Sequence, residues 1–388
     1  MSSLNSSRLY FHHALCLKLV SGSNTMRRSA DTHAAPKIDI HGVAARARVS
    51  IATVSRTINH VPTVDSRLAQ RVWKAVAELG YFPNTQARAL VSGKSKLLGL
   101  IVSEITNPFF PELIQEFEQV AVERGYEILI GSTNYETTKM ELCARRMLER
   151  KVDGVAIMTF GFEDLLLDRF AVDNIPVVFI DPAPSRPLSS VLAVDYLAGI
   201  NEGVEHLAVL GHRKIGFISD PLRLRSAGSR KAAFLKCLKS AGIKADVSWM
   251  VEGDQTLDGG RDAMQRILAL KHLPTAIMCS NDMTAIGVQH ALFDAGFKVP
   301  EDFSLIGFDD IHLAEYTIPP LTTVRMSCKD LAQNAVGALL SSLDPATIIK
   351  SEALNKISTR LIVRQTTDLP RNALSDLDQN PKSKRRHR

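Results

Sequence analysis

The chain shows two different patterns of hydrophobic residues. Between Ile40 and Leu79 apolar residues recur at spacings of three and four, which predicts amphipathic helices. From Leu97 onward short apolar runs without strict alternation are separated by helical stretches, a pattern that favours parallel strands covered on both faces. The chain is therefore expected to join a small all-α unit to a doubly wound α/β body.

The small unit should contain three helices. The pattern predicts a helix over Ile40–Ala47, a second that begins after an N-cap at Ser50, and a third over Asp65–Leu79. Gly80 should end the third helix. In the second helix Val54 and Ile58 are four residues apart and should point into the core.

The opposite face of the second helix then carries the candidate chemistry. Ile51, Ala52 and Arg56 are placed to meet base edges in a DNA major groove, where Arg56 could pair with guanine O6 and N7. Four polar residues suit phosphate contacts, which set register: Ser50, Thr53, Ser55 and Asn59. The alternative is an ordinary three-helix bundle with a solvated Ser/Arg face.

The segment from Asn84 to Ser92 follows Pro83 and precedes Gly93. A helix of about nine residues is too short to be stable alone, so it needs a partner, which a second copy and DNA would supply. Leu90 would then be an apolar wedge in the minor groove. Alternatively, Leu90 is a linker residue that packs on the next domain.

The α/β body carries polar and aromatic residues directly after its predicted strands. The predicted strands are Leu97–Ser103, Tyr126–Ser132, Val152–Met158, Pro176–Asp181, Lys214–Asp220, Thr275–Ser280 and Phe303–Phe308. Near their carboxyl ends lie Asn107, Phe109, Phe110, Asp181, Arg230, Asn281 and Asp309. Carboxylates, amides, a guanidinium and rings at one sheet edge suit a polyhydroxylated ligand.

Each of these residues also has a purely structural interpretation. Asn107 before Pro108 could shape a turn, Phe109 and Phe110 could be core, and Asn281 or Asp309 could cap a helix. The turn at 211–214, Gly-His-Arg-Lys, is expected between a helix and a strand rather than at a phosphate site. We find no nucleotide-binding glycine motif and no catalytic triad or zinc motif, so an enzyme is not expected.

Charge separates the chain into basic ends and an acidic body. The net charge is +6, and residues 38–96 hold nine Lys and Arg against three Asp and Glu. Residues 97–380 carry a net charge of −9. This distribution favours one polyanion-binding end on a module that does not bind nucleic acid. No apolar run is long enough to span a membrane. The five scattered cysteines fit a reducing cytoplasm without disulfides or zinc.

Residues 38–96 resemble the headpiece and hinge of the lactose-repressor (LacI/GalR-type) family. The matching phrases are VSIATVSRTIN, VWKAVAELGYFPN, and ARAL before GLIV. The body resembles the same family, and more distantly periplasmic sugar-binding proteins, through GLIVSEITNPFF, VDGVAI, PVVFID, SNDMTAIGV, VPEDFSLIGFDD and PPLTTVR. The resemblance implies a homodimer on a near-palindromic operator, with candidate hinge contacts at Asn84, Ala87, Arg88 and Leu90.

The resemblance also implies a two-lobed effector domain. Ligand contacts are implied at Asn107, Phe109, Phe110, Arg230, Asn281 and Asp309, together with Asp181 and Gln255. Pro182 stands where many relatives have Arg, and Gln255 stands where an aromatic lid is common. In the headpiece, Gly42 replaces a frequent acidic residue and Arg48 replaces a turn glycine.

The expected organisation has five parts. These are a disordered extension or misassigned start over 1–37, a helix-turn-helix domain over 38–83, a hinge over 84–96, an effector and dimerisation domain over 97–366, and a basic disordered tail over 367–388. The expected lobes are 97–195 with 327–355, and 196–326 with 356–366. The expected protein is a cytoplasmic repressor without a cofactor, controlled by a sugar or sugar acid. The alternative is a periplasmic-type solute-binding protein.

Overall fold

The computed structural model describes residues 39–59, 61–83, 93–159, 164–180, 188–343 and 356–371. Its contacts divide the chain into two compact units, residues 1–84 and 85–388. The expectations for residues 1–37, for most of the tail, and for Asn84, Ala87, Arg88, Leu90 and Asp181 lie outside the described residues.

The first unit contains the three predicted helices, α1 (Ile40–Ala47), α2 (Ile51–Ile58) and α3 (Ser66–Leu79). Ser50 caps α2 by accepting a hydrogen bond from the Thr53 amide, as its position predicted. The helices enclose a small core whose fully buried members include Val43, Val54 and Val72. The third helix begins one residue later than predicted because Asp65 caps it rather than joins it.

The turn between α1 and α2 is backbone-strained at Arg48. This residue has φ 53° and ψ 51°, the left-handed region in which a Cβ crowds the backbone. The Arg71 guanidinium of α3 donates to the carbonyl oxygens of Ala47 and Arg48 at 2.5 and 3.0 Å. These bonds hold the turn against α3, while the left-handed conformation itself explains why a glycine is favoured where this chain has Arg48.

The second unit alternates strands and helices. Its strands are β1 (Leu97–Val102), β2 (Glu127–Ser132), β3 (Gly154–Met158), β4 (Val177–Ile180), β5 (Ser189–Asp195), β6 (Ile215–Ser219), β7 (Met250–Glu252), β8 (Ala276–Cys279), β9 (Ser304–Asp309), β10 (Thr322–Met326) and β11 (Lys356–Ile362). Its helices are α4 (Phe109–Glu123), α5 (Thr137–Glu149), α6 (Asp164–Val172), α7 (Tyr196–Val209), α8 (Arg225–Ser240), α9 (Leu257–Leu268), α10 (Asp282–Asp294) and α11 (Cys328–Leu343).

The strand order is β2-β1-β3-β4-β5-β11-β10-β9-β8-β6-β7. The first lobe is built on β1–β5 and the second on β6–β10, and β11 pairs with β5 of one lobe and β10 of the other. Among the described pairings, β10 with β11 is antiparallel and the others are parallel. The doubly wound prediction is therefore confirmed, with one antiparallel strand at the junction.

The chain crosses between the lobes after β5 and again after β10. The helix that follows β10, α11, packs on α4 and β3 of the first lobe, whereas α7 packs on α8 and β11. Helices α9 and α10 pack on each other in the second lobe. The ends of β5 and β10 are therefore points at which a movement of one lobe relative to the other would be accommodated.

Seven of the eleven strands in the described residues were predicted, and four were missed. The missed strands β5 and β7 are mostly half-exposed, β11 alternates between exposed and buried residues over its first five positions, and β10 is buried but begins with Thr322 and Thr323. Strands β7, β10 and β11 lack a continuous apolar run of four residues, whereas β5 contains one at residues 191–194 that was missed. The turn at 211–214 lies between α7 and β6 as predicted, and His212 is buried there with its ring nitrogens 2.8 and 2.9 Å from the Thr275 and Ser304 hydroxyls.

Within the described residues, no helix is long and apolar enough to cross a membrane. In the same part of the chain no group of three or more His, Cys, Asp or Glu side chains could hold a metal ion. The described cysteines, Cys143, Cys237, Cys279 and Cys328, are all free thiols.

The strained turn predicts that Arg48→Gly stabilises the first unit. Glycine adopts the left-handed region without the Cβ crowding, so the unfolding free energy of this unit should rise by about 0.5–1 kcal/mol. Native-state hydrogen exchange of the α1 and α2 amides in the full-length chain measures the change. Arg48→Ala is the matched control, because it removes the side chain but keeps the Cβ. An equal gain in both variants would show that strain is not the cause.

Candidate functional sites

The outward face of α2 is the first candidate site. Ile51, Ala52 and Arg56 are exposed there, whereas Val54 and Ile58 are buried, as predicted. Ser55 is half-buried and Asn59, the residue that ends the helix, is exposed. The structure thus presents a guanidinium and the apolar side chains of Ile51 and Ala52 on one helical surface.

Two polar residues at the start of α2, Ser50 and Thr53, form local hydrogen bonds. Besides its capping bond, the Ser50 hydroxyl lies 2.9 Å from the Thr53 hydroxyl. The described acidic residues of this unit are used elsewhere: Asp39 and Asp65 cap α1 and α3, and Glu78 forms an ion pair with Arg46. No acidic residue lies on α2, so its exposed face carries positive charge.

The second candidate site is a cavity between the two lobes. Seven of the eight predicted ligand residues line it, and the eighth, Asp181, lies outside the described residues. The seven are Asn107, Phe109, Phe110, Arg230, Gln255, Asn281 and Asp309. They come from both lobes, and most follow the carboxyl ends of parallel strands, where open α/β sheets bind ligands.

Arg230 of α8 is the centre of the second-lobe wall. Its side chain is buried, and Nη1 donates to the Ser280 carbonyl oxygen at 2.6 Å and to Asp220 Oδ2 at 3.2 Å. Nη2 lies 3.8 Å from Asp309 Oδ1, and the guanidinium carbon lies 4.4 Å from the centre of the Phe308 ring. These contacts fix the guanidinium in one orientation.

Asn281 has both a structural and a site role. Its Oδ1 accepts from the Thr284 amide at 2.8 Å, which caps α10, and its Nδ2 donates to Asp220 Oδ1 at 2.6 Å. The capping alternative was therefore correct, and the residue lines the cavity as well. The same holds for Asn107, whose Oδ1 accepts from the Phe109 amide at 3.1 Å and shapes the turn before α4.

Phe109 and Phe110 are both core and cavity residues. Each side chain is buried in the main hydrophobic cluster, and the two rings meet edge to face with centres 5.4 Å apart. They form the apolar part of the first-lobe wall. A ligand that meets them needs an apolar face, while its polar groups face Arg230 and the carboxyls opposite.

The cavity holds more carboxyl groups than cations. Burial raises the pKa of Asp220 and of Asp309, and the charge of Arg230 opposes this rise in each case. Because one guanidinium serves two carboxyls, an additional anion would meet repulsion. The cavity therefore favours a neutral ligand that donates several hydrogen bonds.

A buried network holds Asp309 in place. Asp309 and Asp310 are consecutive residues with positive φ, 110° and 60°. Beyond them, the Ile311 amide donates to Asp282 Oδ2 at 2.9 Å, and Arg364 donates to Asp310 Oδ1 at 2.7 Å. Burial raises the pKa of Asp282 to about 7, and its Oδ1 accepts from the Thr323 hydroxyl of β10. The bend that directs Asp309 is thus anchored on both sides.

Four further polar or aromatic residues line the cavity and were not predicted: Tyr135, Tyr196, Asp220 and Ser226. Asp220 ends a predicted strand, so the rule that selected its neighbours would also have selected it. Tyr196 follows β5, a strand that the hydrophobic pattern did not reveal. Tyr135 follows β2, and its hydroxyl donates to Gln255 Oε1 at 3.0 Å from the opposite lobe.

Comparison with known proteins gives two matching family models. "Bacterial regulatory proteins, lacI family" matches residues 39–84, and "Periplasmic binding protein-like domain" matches residues 204–367. The solved lac repressor dimer bound to operator and the anti-inducer ONPF is 28% identical, with a TM-score of 0.74, over 85% of this chain and 99% of that one. A CelR–cellobiose complex is 25% identical, with a TM-score of 0.64, over 85% and 100%.

Relatives of similar length extend the match across both units. The HTH-type transcriptional repressor PurR of Erwinia tasmaniensis is 35% identical over 311 residues, which cover 78% of this chain and 90% of the relative. PurR of Pasteurella multocida is 31% identical over 84% of this chain and 98% of its own length. With this identity and coverage, the chain belongs to the lacI family of bacterial regulatory proteins.

Proposed function

We propose that this DNA-binding transcriptional repressor acts as a homodimer on a near-palindromic operator and is controlled by a small neutral ligand in the cleft. The main support is that six residues predicted near four strand ends, together with Gln255 from the family resemblance, line one cavity in a chain that also carries the exposed face of α2. A ligand regulates such a protein only to the extent that it binds the operator-competent and incompetent states with different affinity.

In this proposal Ile51, Ala52 and Arg56 contact base edges. The polar residues Ser50, Thr53, Ser55 and Asn59 contact phosphates and set the register. Ser50 and Thr53 already bond to each other, so each offers DNA only its remaining hydrogen-bonding capacity. The roles of Asn84, Ala87, Arg88 and Leu90 as hinge contacts rest on the family resemblance.

The proposed ligand is a small sugar. Asp220, Asp309 and Asn281 can accept or donate to hydroxyls, and the rings of Phe109 and Phe110 can cover an apolar face. A sugar acid fits less well, because its carboxylate would join a site with two carboxyls and one guanidinium. A purine is the second candidate, since four aromatic side chains line the cavity and the relatives carry the name PurR.

The homodimer is supported by an exposed apolar patch on the second lobe. Phe293, Tyr316 and Ile318 are 78%, 67% and 92% exposed. They are close together, because Gln289, one turn before Phe293 on α10, donates to the Ile318 carbonyl oxygen at 2.6 Å. Large apolar side chains grouped on a surface are typical of an interface.

A gel-shift assay with DNA from upstream of the gene tests the operator proposal, and Arg56→Ala sharpens it. Loss of a bidentate guanine contact should cost about 1–3 kcal/mol on the preferred site and relax selectivity at one symmetric base pair. Arg67→Ala, an exposed arginine of α3, is the matched control and should weaken binding equally on all sequences. Absence of salt-sensitive binding to any palindrome would refute the operator proposal.

A thermal-shift screen of sugars, sugar acids and purines tests the effector site, because a bound ligand raises the apparent stability. Arg230→Lys should reduce the affinity for the best compound at least tenfold, since lysine keeps the charge but cannot form the same planar set of bonds. Operator binding without the compound should stay within twofold of wild type. Lys239→Ala, an exposed change on the same helix, is the control. A normal response by Arg230→Lys would exclude the cavity as the effector site.

Sedimentation equilibrium tests the dimer interface. Phe293→Asp should shift the mass from two chains towards one, because a charge would be buried in the interface. Val209→Asp changes an equally exposed apolar residue at the end of α7 and should leave the dimer intact. A wild-type monomer, or equal effects of the two substitutions, would contradict the proposed patch.

A further inference from the structure

One hydrogen bond crosses the mouth of the cavity. Tyr135 belongs to the loop between β2 and α5 of the first lobe, and Gln255 to the loop between β7 and α9 of the second. The Tyr135 hydroxyl donates to Gln255 Oε1 at 3.0 Å, and both side chains line the cavity. The two lobes are therefore joined directly by side chains at the ligand cavity.

Both residues adopt backbone conformations that side chains disfavour. Tyr135 has φ 57° and Gln255 has φ 75°, and neither is a glycine. Such strain persists only where the surroundings hold it, and it concentrates at ligand clamps and switches. Here the Tyr135 amide donates to the Thr133 hydroxyl at 3.3 Å, and Asp254 accepts from the Thr256 amide and hydroxyl at 2.9 and 2.6 Å.

The polar pair is well suited to hold a hydrogen bond. Burial raises the pKa of the Tyr135 hydroxyl, so the group stays protonated and remains a donor. The tyrosine ring adds an apolar surface to the cavity wall, which the Gln255 side chain cannot supply. The hydroxyl joins the lobes and the ring lines the cavity, so substitutions can test the two roles separately.

We propose that Tyr135 and Gln255 form a lid that holds the two lobes closed over the cavity when no ligand is bound. The proposal rests on the function proposed above only in treating the cavity as a ligand site. Ligand entry then requires the Tyr135–Gln255 bond to break, and the population of open protein limits exchange.

A second cross-lobe contact predicts that opening is graded. Glu112 of α4 accepts from the His312 amide of the second lobe at 2.9 Å. Removing the lid bond alone leaves this contact in place. Loss of the Tyr135 hydroxyl should therefore shift the equilibrium between open and closed forms without opening the cleft completely.

The test measures the distance between the lobes in the full-length, ligand-free protein. Nitroxides attached to keto amino acids at Glu141 of α5 and Asp258 of α9 leave the native cysteines unchanged. Pulsed dipolar spectroscopy should give mainly one short distance for the parent protein. Tyr135→Phe should shift the ratio of short to long distances about fivefold towards long, the weight of one ordinary hydrogen bond.

Two further variants complete the design. Gln255→Leu should match Tyr135→Phe, and the double variant should add nothing, because both substitutions remove the same bond. Tyr135→Ala, which also removes the ring, should open the cleft further. Val247→Ala is the control, because it truncates an exposed apolar side chain elsewhere on the second lobe. Identical distances in Tyr135→Ala and the control would overturn the lid.

The outcome separates the lid from the proposed effector site. Distances that respond to Tyr135→Phe while no screened compound raises the unfolding midpoint would support the lid and contradict the ligand proposal. If compounds bind but no substitution of Tyr135 or Gln255 changes the distance between the lobes, the ligand site is supported and the lid is overturned.

Discussion

The cleft depends on one buried cation that is shared by two buried carboxyls. Arg230 contacts Asp220 and Asp309, which end or follow different strands of the second lobe, and Asn281 donates to the same Asp220. A buried charge is tolerated only when it is paired and hydrogen-bonded, so these side chains must be fixed together. The cavity is therefore preorganised on its second-lobe side, and a ligand needs to supply complementary donors rather than assemble the site.

The same network ties the cavity to β10, the strand after which the chain crosses between the lobes. Asp282 begins α10, next to Asn281, and its carboxyl binds both the Ile311 amide and the Thr323 hydroxyl of β10. Strand β10 leads into α11, which packs on the first lobe. A movement of the bend at Asp309 and Asp310 is thus connected through Asp282 to β10, after which the chain crosses to the first lobe. Only these few contacts separate the bend from the crossing point.

The sequence predicted the parts of this molecule whose signals are local. Helix α2 was marked by the Ser50 cap and the spacing of Val54 and Ile58, and the seven predicted strands by unbroken apolar runs. Strand β11 was missed because its residues alternate between buried and exposed, and β10 because of its threonines. The Tyr135–Gln255 bond joins residues 120 positions apart, and no local pattern relates them. The positive φ of Asp309 likewise had no local signal, whereas that of Arg48 belongs to the C-cap of α1, where relatives have a turn glycine.

The attachment of the first unit to the second constrains how any ligand signal reaches DNA. The Ser95 amide and hydroxyl and the Lys96 amide donate to the Asp153 carboxylate at 2.7, 2.9 and 3.1 Å, just before β3. The chain that enters the effector unit is thus fixed to the first lobe. Arg230 and the two carboxyls that it contacts lie in the second lobe. In the proposed mechanism, a ligand held by Arg230 in the second lobe and by Phe109 and Phe110 in the first would act on the DNA-binding unit by changing how the lobes meet. Contacts that join the lobes, such as Tyr135 with Gln255, would then be part of that regulation.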